Sequence, residues 1–219
     1  MEQTSFLEKV KRFFGRVQYN SPVILTFSLL AFAALLLQAI TGGWTDNALF
    51  SVCRNNGSLA DPLFYVRLFG HVLGHFDFEH YVNNFIIILL AGPMLEEKYG
   101  SKRLALMIVI TAFVTGLIHL LFASPNTALM GASGIGFMMI LLASFVNLKR
   151  GRIPATLILC VVVFIGREIV SGLATADNVS QLTHILGGLC GAAFGFFVNK
   201  EKFLATTHTT GAASAEKEE

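Results

Sequence analysis

The sequence predicts an all-α, polytopic membrane protein: a bundle of six transmembrane helices with a partly embedded first outer connection. Three observations carry this. The 219 residues are 54% hydrophobic and only 14% charged, against about 25% charged in a soluble domain. The apolar residues gather into six long runs. The basic residues fall in every second connection between those runs. A net charge of +2 offers no broad basic face, which argues against nucleic acid as a partner.

The first run, Pro22–Thr41, is longer than a signal-peptide core and lacks a small-residue cleavage site, so it reads as a retained span. Residues 1–20 precede it. They contain "SFLEKVKRFFGRV" with Lys9, Lys11, Arg12 and Arg16, either a helix on an anionic membrane surface or a solvated basic leader. The other spans are Tyr81–Leu95, Leu104–Ala123, Ser133–Leu148, Ile153–Leu173 and Leu182–Asn199. A hydrocarbon core of roughly 30 Å asks for about 20 apolar residues, so several are short. The membrane domain is expected over 21–200, followed by a polar, disordered tail over 201–219.

Thirteen of the sixteen lysines and arginines lie in the leader, in "EEKYGSKR", in "LKRGR" and in the tail. The positive-inside rule then places both termini in the cytoplasm, in agreement with an even number of spans. A retained first span without a presequence suits a bacterial inner membrane. The first outer connection, Gly42–Glu79, contains "PLFYVRLFGHVLGHF", too apolar for a free loop and too interrupted to cross.

Polar residues intrude at the outer ends of three spans: "HYVNN" (His80–Asn84), Ser133 and "THILGG" (Thr183–Gly188). Ser133 and His184 each stand sixteen residues before a lysine, and Asn84 fourteen. At 1.5 Å per residue these are roughly 24, 24 and 21 Å of helix. If the lysines mark one boundary, the three side chains share a level roughly 5–10 Å below the opposite edge of a 30 Å core. "ASPNTALMG" must then bring irregular backbone to that depth, which is tolerated only within protein or beside water. A polar cavity floored by Ser133, His184 and Asn84 is the expectation, and ionisable groups there point to function.

A serine hydroxyl needs a base to become a nucleophile. Ser133 stands at a helix start, where free N–H groups, its own included, stabilise an oxyanion. Gly131 and Gly134 flank the approach. His184 is the candidate base. His80 and Asn84, four residues apart on one helix face, can each donate a hydrogen bond; Asn83 lacks that spacing. Gly187, Gly191 and Gly195 follow His184 at intervals of four, a groove that lets helices approach closely. Taken singly, Ser133 could be an N-cap and His184 a packed polar residue. Their common depth favours chemistry.

His71, His75 and His80 could instead bind zinc or iron, as in a metal transporter, but no HExxH occurs and His71 and His75 read as structural. His119 is expected beside the cavity or bonded to backbone. Glu96 is expected to hold the inner turn through free N–H groups, and Arg167 to reach headgroups. The scattered cysteines, Cys53, Cys160 and Cys190, show no metal spacing.

"GASG" around Ser133, "HVLGHFDFEHYVNN" before it and "HILGGLCG" after it resemble the rhomboid intramembrane serine proteases. The similarity runs from about Arg67 to Gly195, with the three motifs in order. It implies a Ser133–His184 catalytic dyad and oxyanion binding by His80 and Asn84. It implies no cofactor and no metal. The substrates would be transmembrane proteins that enter sideways from the bilayer near span five. Val66-Arg67 replaces the frequent Trp-Arg, and Phe137 replaces a frequent tyrosine whose ring packs on the histidine. A catalytically dead relative that escorts membrane proteins is the rival; such relatives typically lose the serine or the histidine, and both stand here.

Overall fold

The computed structural model describes residues 15, 18–146, 155–174 and 178–200. The leader helix, the "LKRGR" connection, the tail and the side chains of Arg167 and Glu168 lie outside the described residues. The described residues include seven α-helices: α1 (Pro22–Thr41), α2 (Pro62–Gly70), α3 (Phe78–Tyr99), α4 (Ser101–Phe122), α5 (Ser133–Ala143), α6 (Ala155–Ala174) and α7 (Asn178–Val198). Two short strands, β1 (Val52–Cys53) and β2 (Ala128–Leu129), pair antiparallel.

α1, α4 and Gln181–Val198 of α7 are long and apolar enough to cross a membrane. The chain is a helical integral membrane protein. A six-span count rests further on α3, α5 and α6, which length and composition do not by themselves establish.

α1 begins at Pro22, whose missing N–H costs nothing in a first turn, and ends at Gly42, left-handed at φ 62°. α3 starts earlier than its hydropathy implies because Asp77 caps it, accepting the His80 N–H at 2.7 Å. α5 corrects an expectation. The fourth span is helical only through Ala143, about 16 Å at 1.5 Å per residue. Beyond it, Ser144, Phe145 and Val146 N–H groups bond carbonyls three residues back, a 3₁₀ tightening. The Ser144 hydroxyl also bonds the Ile140 carbonyl, competing with the α-ladder.

α5 is the centre of the bundle. Residues 134–139 are all buried, as expected of a helix apolar all round. The core joins Ile24, Phe85, Ile88, Leu104, Ile135 and Met138 from α1, α3, α4 and α5. Phe27 and Phe85 rings lie 5.4 Å apart, and Tyr81 stacks on Phe85 at 4.5 Å.

At one end of the bundle Glu96 ties α1 to α3. Its Oε1 accepts the Val23 N–H at 3.0 Å and its Oε2 the Ile24 N–H at 3.1 Å; the Ser101 hydroxyl donates to Oε1 at 2.7 Å. The free N–H groups that the Glu96 carboxylate takes up thus belong to the start of α1, where an anion suits the dipole, and not to the turn into α4, which it holds through the Ser101 hydroxyl.

The connection from 42 to 77 is structured. "PLFYVRLFG" is α2, capped by Asp61, which accepts the Leu63 N–H at 3.0 Å. Arg67 is buried, pairs with Asp61 and donates to the Ala48 carbonyl at 3.1 Å. The packing expected of a tryptophan is not taken over by Val66, which is 46% exposed. Phe69 stacks instead on Phe113 of α4.

Candidate active site

The segment between α4 and α5 is irregular, as its Pro, Asn and Gly content dictates, and it is pinned at almost every step. A turn brings the Thr127 N–H to the Ser124 carbonyl. β2 pairs with β1, Val52 opposite Leu129. His119 Nε2 bonds the Thr127 carbonyl at 2.9 Å, and the Cys53 thiol donates to the Pro125 carbonyl at 3.0 Å. The Gly131 N–H donates to the His71 carbonyl at 2.9 Å, and the Ala132 N–H to His75 Nε2 at 3.4 Å.

Gly131 has φ 118°, a conformation open to glycine and strained for other residues. Ala132 occupies the N-cap position and offers no side chain to cap with. Ser133 is the first helical residue, half-buried, and no described residue hydrogen-bonds its hydroxyl. The N-cap role is therefore not its own.

On one side of this segment stand His80 and Asn84. A β-carbon at Gly131 would lie 2.8 Å from His80 Nε2 and 3.4 Å from Asn84 Nδ2, so both side chains converge on the bare Gly131 Cα. Asn84 is buried and Asn83 exposed, as the four-residue spacing requires. His80 Nδ1 and Asn84 Nδ2 are buried without a hydrogen-bond partner among the described residues. A buried amide without an acceptor costs about 1–3 kcal/mol and calls for an explanation.

On the other side runs α7. Gly187 meets the Gly134 carbonyl and Gly191 the Met138 carbonyl, so closely that a β-carbon at either position would overlap that backbone. Gly195 sits on the Phe145 ring. Gly134 in turn faces Thr115 and Thr183; a β-carbon there would be 3.4 and 3.5 Å from their methyl groups. The half-buried His184 packs its ring 4.6 Å from that of Phe137. No hydrogen bond between Ser133 and His184 is among the described contacts.

A cleft of about 130 Å³ opens between α4 and α7, lined among others by His119, Phe122, Leu182 and Thr183. His184, Ser133 and Asn84 are not among the residues that line it.

The side chain of His71 reaches out of its own connection. Its Nε2 reaches the Ala112 carbonyl of α4 at 3.0 Å, with the Thr115 hydroxyl at 3.5 Å. His75 Nδ1 bonds the Leu73 carbonyl at 3.1 Å. Burial pushes both imidazoles down to about 4. Together with His119, which bonds backbone and lines the cleft as expected, they form a clamp on the segment before Ser133; that they would hold this segment was not read from the sequence. The only sequence signal was the i, i+4 spacing of His71 and His75. Among the described residues, no three His, Cys, Asp or Glu side chains converge as metal ligands.

The family model described as the rhomboid domain matches residues 63–201. The chain belongs to the rhomboid family. That match takes in α2 through α7 and every residue of the site. Rhomboid-related protein 1 of Caenorhabditis elegans is 30% identical over 172 residues, 71% of this chain and 48% of that protein. Rhomboid-like protein 15 of Arabidopsis thaliana is 24% identical over 200 residues, 81% of this chain and 47% of that protein. The chain spans about half the length of these curated rhomboid relatives.

Proposed function

We propose that this rhomboid is an intramembrane serine endopeptidase that cuts transmembrane proteins within or beside their membrane segment. One observation carries the reading: His80, through Nε2, and Asn84, through its buried and unpartnered Nδ2, converge on Gly131, two residues before a serine at a helix start. An oxyanion is the ligand that such donors suit.

Ser133 Oγ attacks the scissile carbonyl as His184 takes its proton. The oxyanion is held by His80, Asn84 and the Ser133 N–H. His184 returns the proton to the leaving amine and an acyl-enzyme remains. Water, deprotonated by His184, releases the acid and restores the hydroxyl. The absence of a Ser133–His184 bond from the described contacts fits a pair that tightens only around substrate. Phe137 and the glycine contacts of α7 keep the histidine's helix against α5.

The basic residues favour six spans with both termini cytoplasmic. A helical peptide bond is shielded by its own hydrogen bonds, so helix-breaking or small residues near the cut favour cleavage.

The test is purified protein with a membrane-helix reporter, comparing the native chain with Ser133→Ala and His184→Ala. Both variants should lose cleavage by at least about 10³-fold, in line with loss of a nucleophile or base. Equal cutting by all three would remove the dyad. Reporter binding without cutting by any of them would favour the escort.

A further inference from the structure

His75 lies in the connection between α2 and α3, is 0% exposed, and takes no part in the chemistry proposed above. Its surroundings fix its protonation. The Leu73 carbonyl can only accept, so Nδ1 carries the proton. The Ala132 amide can only donate, so Nε2 presents its lone pair. The ring is neutral, in the Nδ1–H form. Its pKa agrees, pushed down to about 4 by burial, which disfavours the charged ring. Three rings lock its plane: His80 at 5.0 Å, Tyr81 at 5.6 Å and Phe85 at 5.7 Å.

The consequence lies one residue further on. The Gly131 N–H is taken by the His71 carbonyl and the Ala132 N–H by His75. Of three consecutive amides only that of Ser133 is left unclaimed by this clamp. The peptide plane is rigid, so holding the Ala132 N–H holds the unit from Gly131 Cα to Ala132 Cα, and Ala132, at φ −86° and ψ 8°, carries the chain from there into Ser133. The same ring packs edge-on against His80, so one imidazole references both the serine and an oxyanion donor.

We propose that His75 is a positioning residue, whose Nδ1–H tautomer takes up the Ala132 N–H and thereby aims Ser133 between His80, Asn84 and His184. The role rests on the protease reading. Its substitutions separate acceptor from bulk. In His75→Gln, the side-chain oxygen replaces Nε2 as acceptor. In His75→Leu, nothing does.

Three readouts on the full chain in nanodiscs decide it. The ¹⁵N shifts of labelled histidine, assigned by their loss in His75→Gln, should show Nδ1 protonated and Nε2 bare; the opposite tautomer overturns the proposal. Amide exchange at Ala132 should accelerate in His75→Leu and stay slow in His75→Gln; equal exchange in both variants overturns it. In reporter cleavage, His75→Leu should lose about tenfold in kcat at unchanged KM, the rate equivalent of one hydrogen bond, and His75→Gln should retain most of it. Equal loss in both variants with equally lowered thermal midpoints means bulk alone, and overturns it. If the native chain cuts nothing, the protease reading fails by itself; tautomer and exchange then still decide whether His75 holds Ala132.

Discussion

The seam between α5 and α7 and the joint between α1 and α3 solve one problem in opposite ways. Helices in lipid gain little from hydrophobic association, so close packing and interhelical hydrogen bonds must hold them. The seam uses the first. Gly187 and Gly191 present bare Cα atoms to the Gly134 and Met138 carbonyls. The joint uses the second: both carboxylate oxygens of Glu96 take N–H groups from the start of α1. Gly92 also admits Ile24 there, but its neighbour is a side chain, which can rotate. Backbone carbonyls cannot. The seam therefore fixes relative position stringently, and it is the seam that carries His184 and Ser133.

Size should break the seam and polarity the joint. The largest effect is expected from Gly191→Leu. A side chain driven into the Met138 carbonyl exceeds the usual overpacking cost of about 1–3 kcal/mol, because the obstacle is backbone. The variant should lose both reporter cleavage and a monodisperse elution peak, with Gly191→Ala intermediate. A folded, active Gly191→Leu would mean that the seam is looser than described. Next comes Glu96→Ala, which strands two amides and the Ser101 hydroxyl. Hydrogen bonds to a charged group are worth roughly 1.5–3 kcal/mol each, so thermal unfolding in detergent should show a loss of several kcal/mol, partly restored in Glu96→Gln. No restoration would mean that the charge, rather than its geometry, holds the joint.

A pH dependence sharpens the contrast at the histidine clamp. His71 and His75 have folded acidities near 4 against about 6.5 unfolded. Between those values the unfolded chain binds more protons, so stability falls as pH drops from about 6.5 to about 4 and levels off below. The thermal midpoint should follow that window, and replacing both residues by Gln should flatten it. An unchanged slope would place the titration elsewhere.

Much of this was legible in the sequence. Pro22–Thr41 is bounded by Pro22 and Gly42, and its range needed no correction. Asn84 could be chosen over Asn83 because a helix repeats every 3.6 residues. The glycines after His184 announced a close approach, though not which carbonyls they would meet. The early stop of α5 was hidden because apolar composition continues past Ala143 while the hydrogen bonding changes. The start of α3 was misjudged because hydropathy is blind to the Asp77 cap. Long-range pairings were the least visible. Gly131 meets His71 sixty residues away in sequence, and Glu96 meets Val23 across 73. Such partners follow from the packed bundle, not from local pattern.

The Glu96 cap also orders events during synthesis. The first turn of α1 leaves the ribosome some seventy residues ahead of the carboxylate that will satisfy it, so its amides must stay in contact with water meanwhile. The opening hairpin can lock into place only after α3 has been made almost to its last turn, which makes a chain truncated before residue 96 a helix in search of its anion.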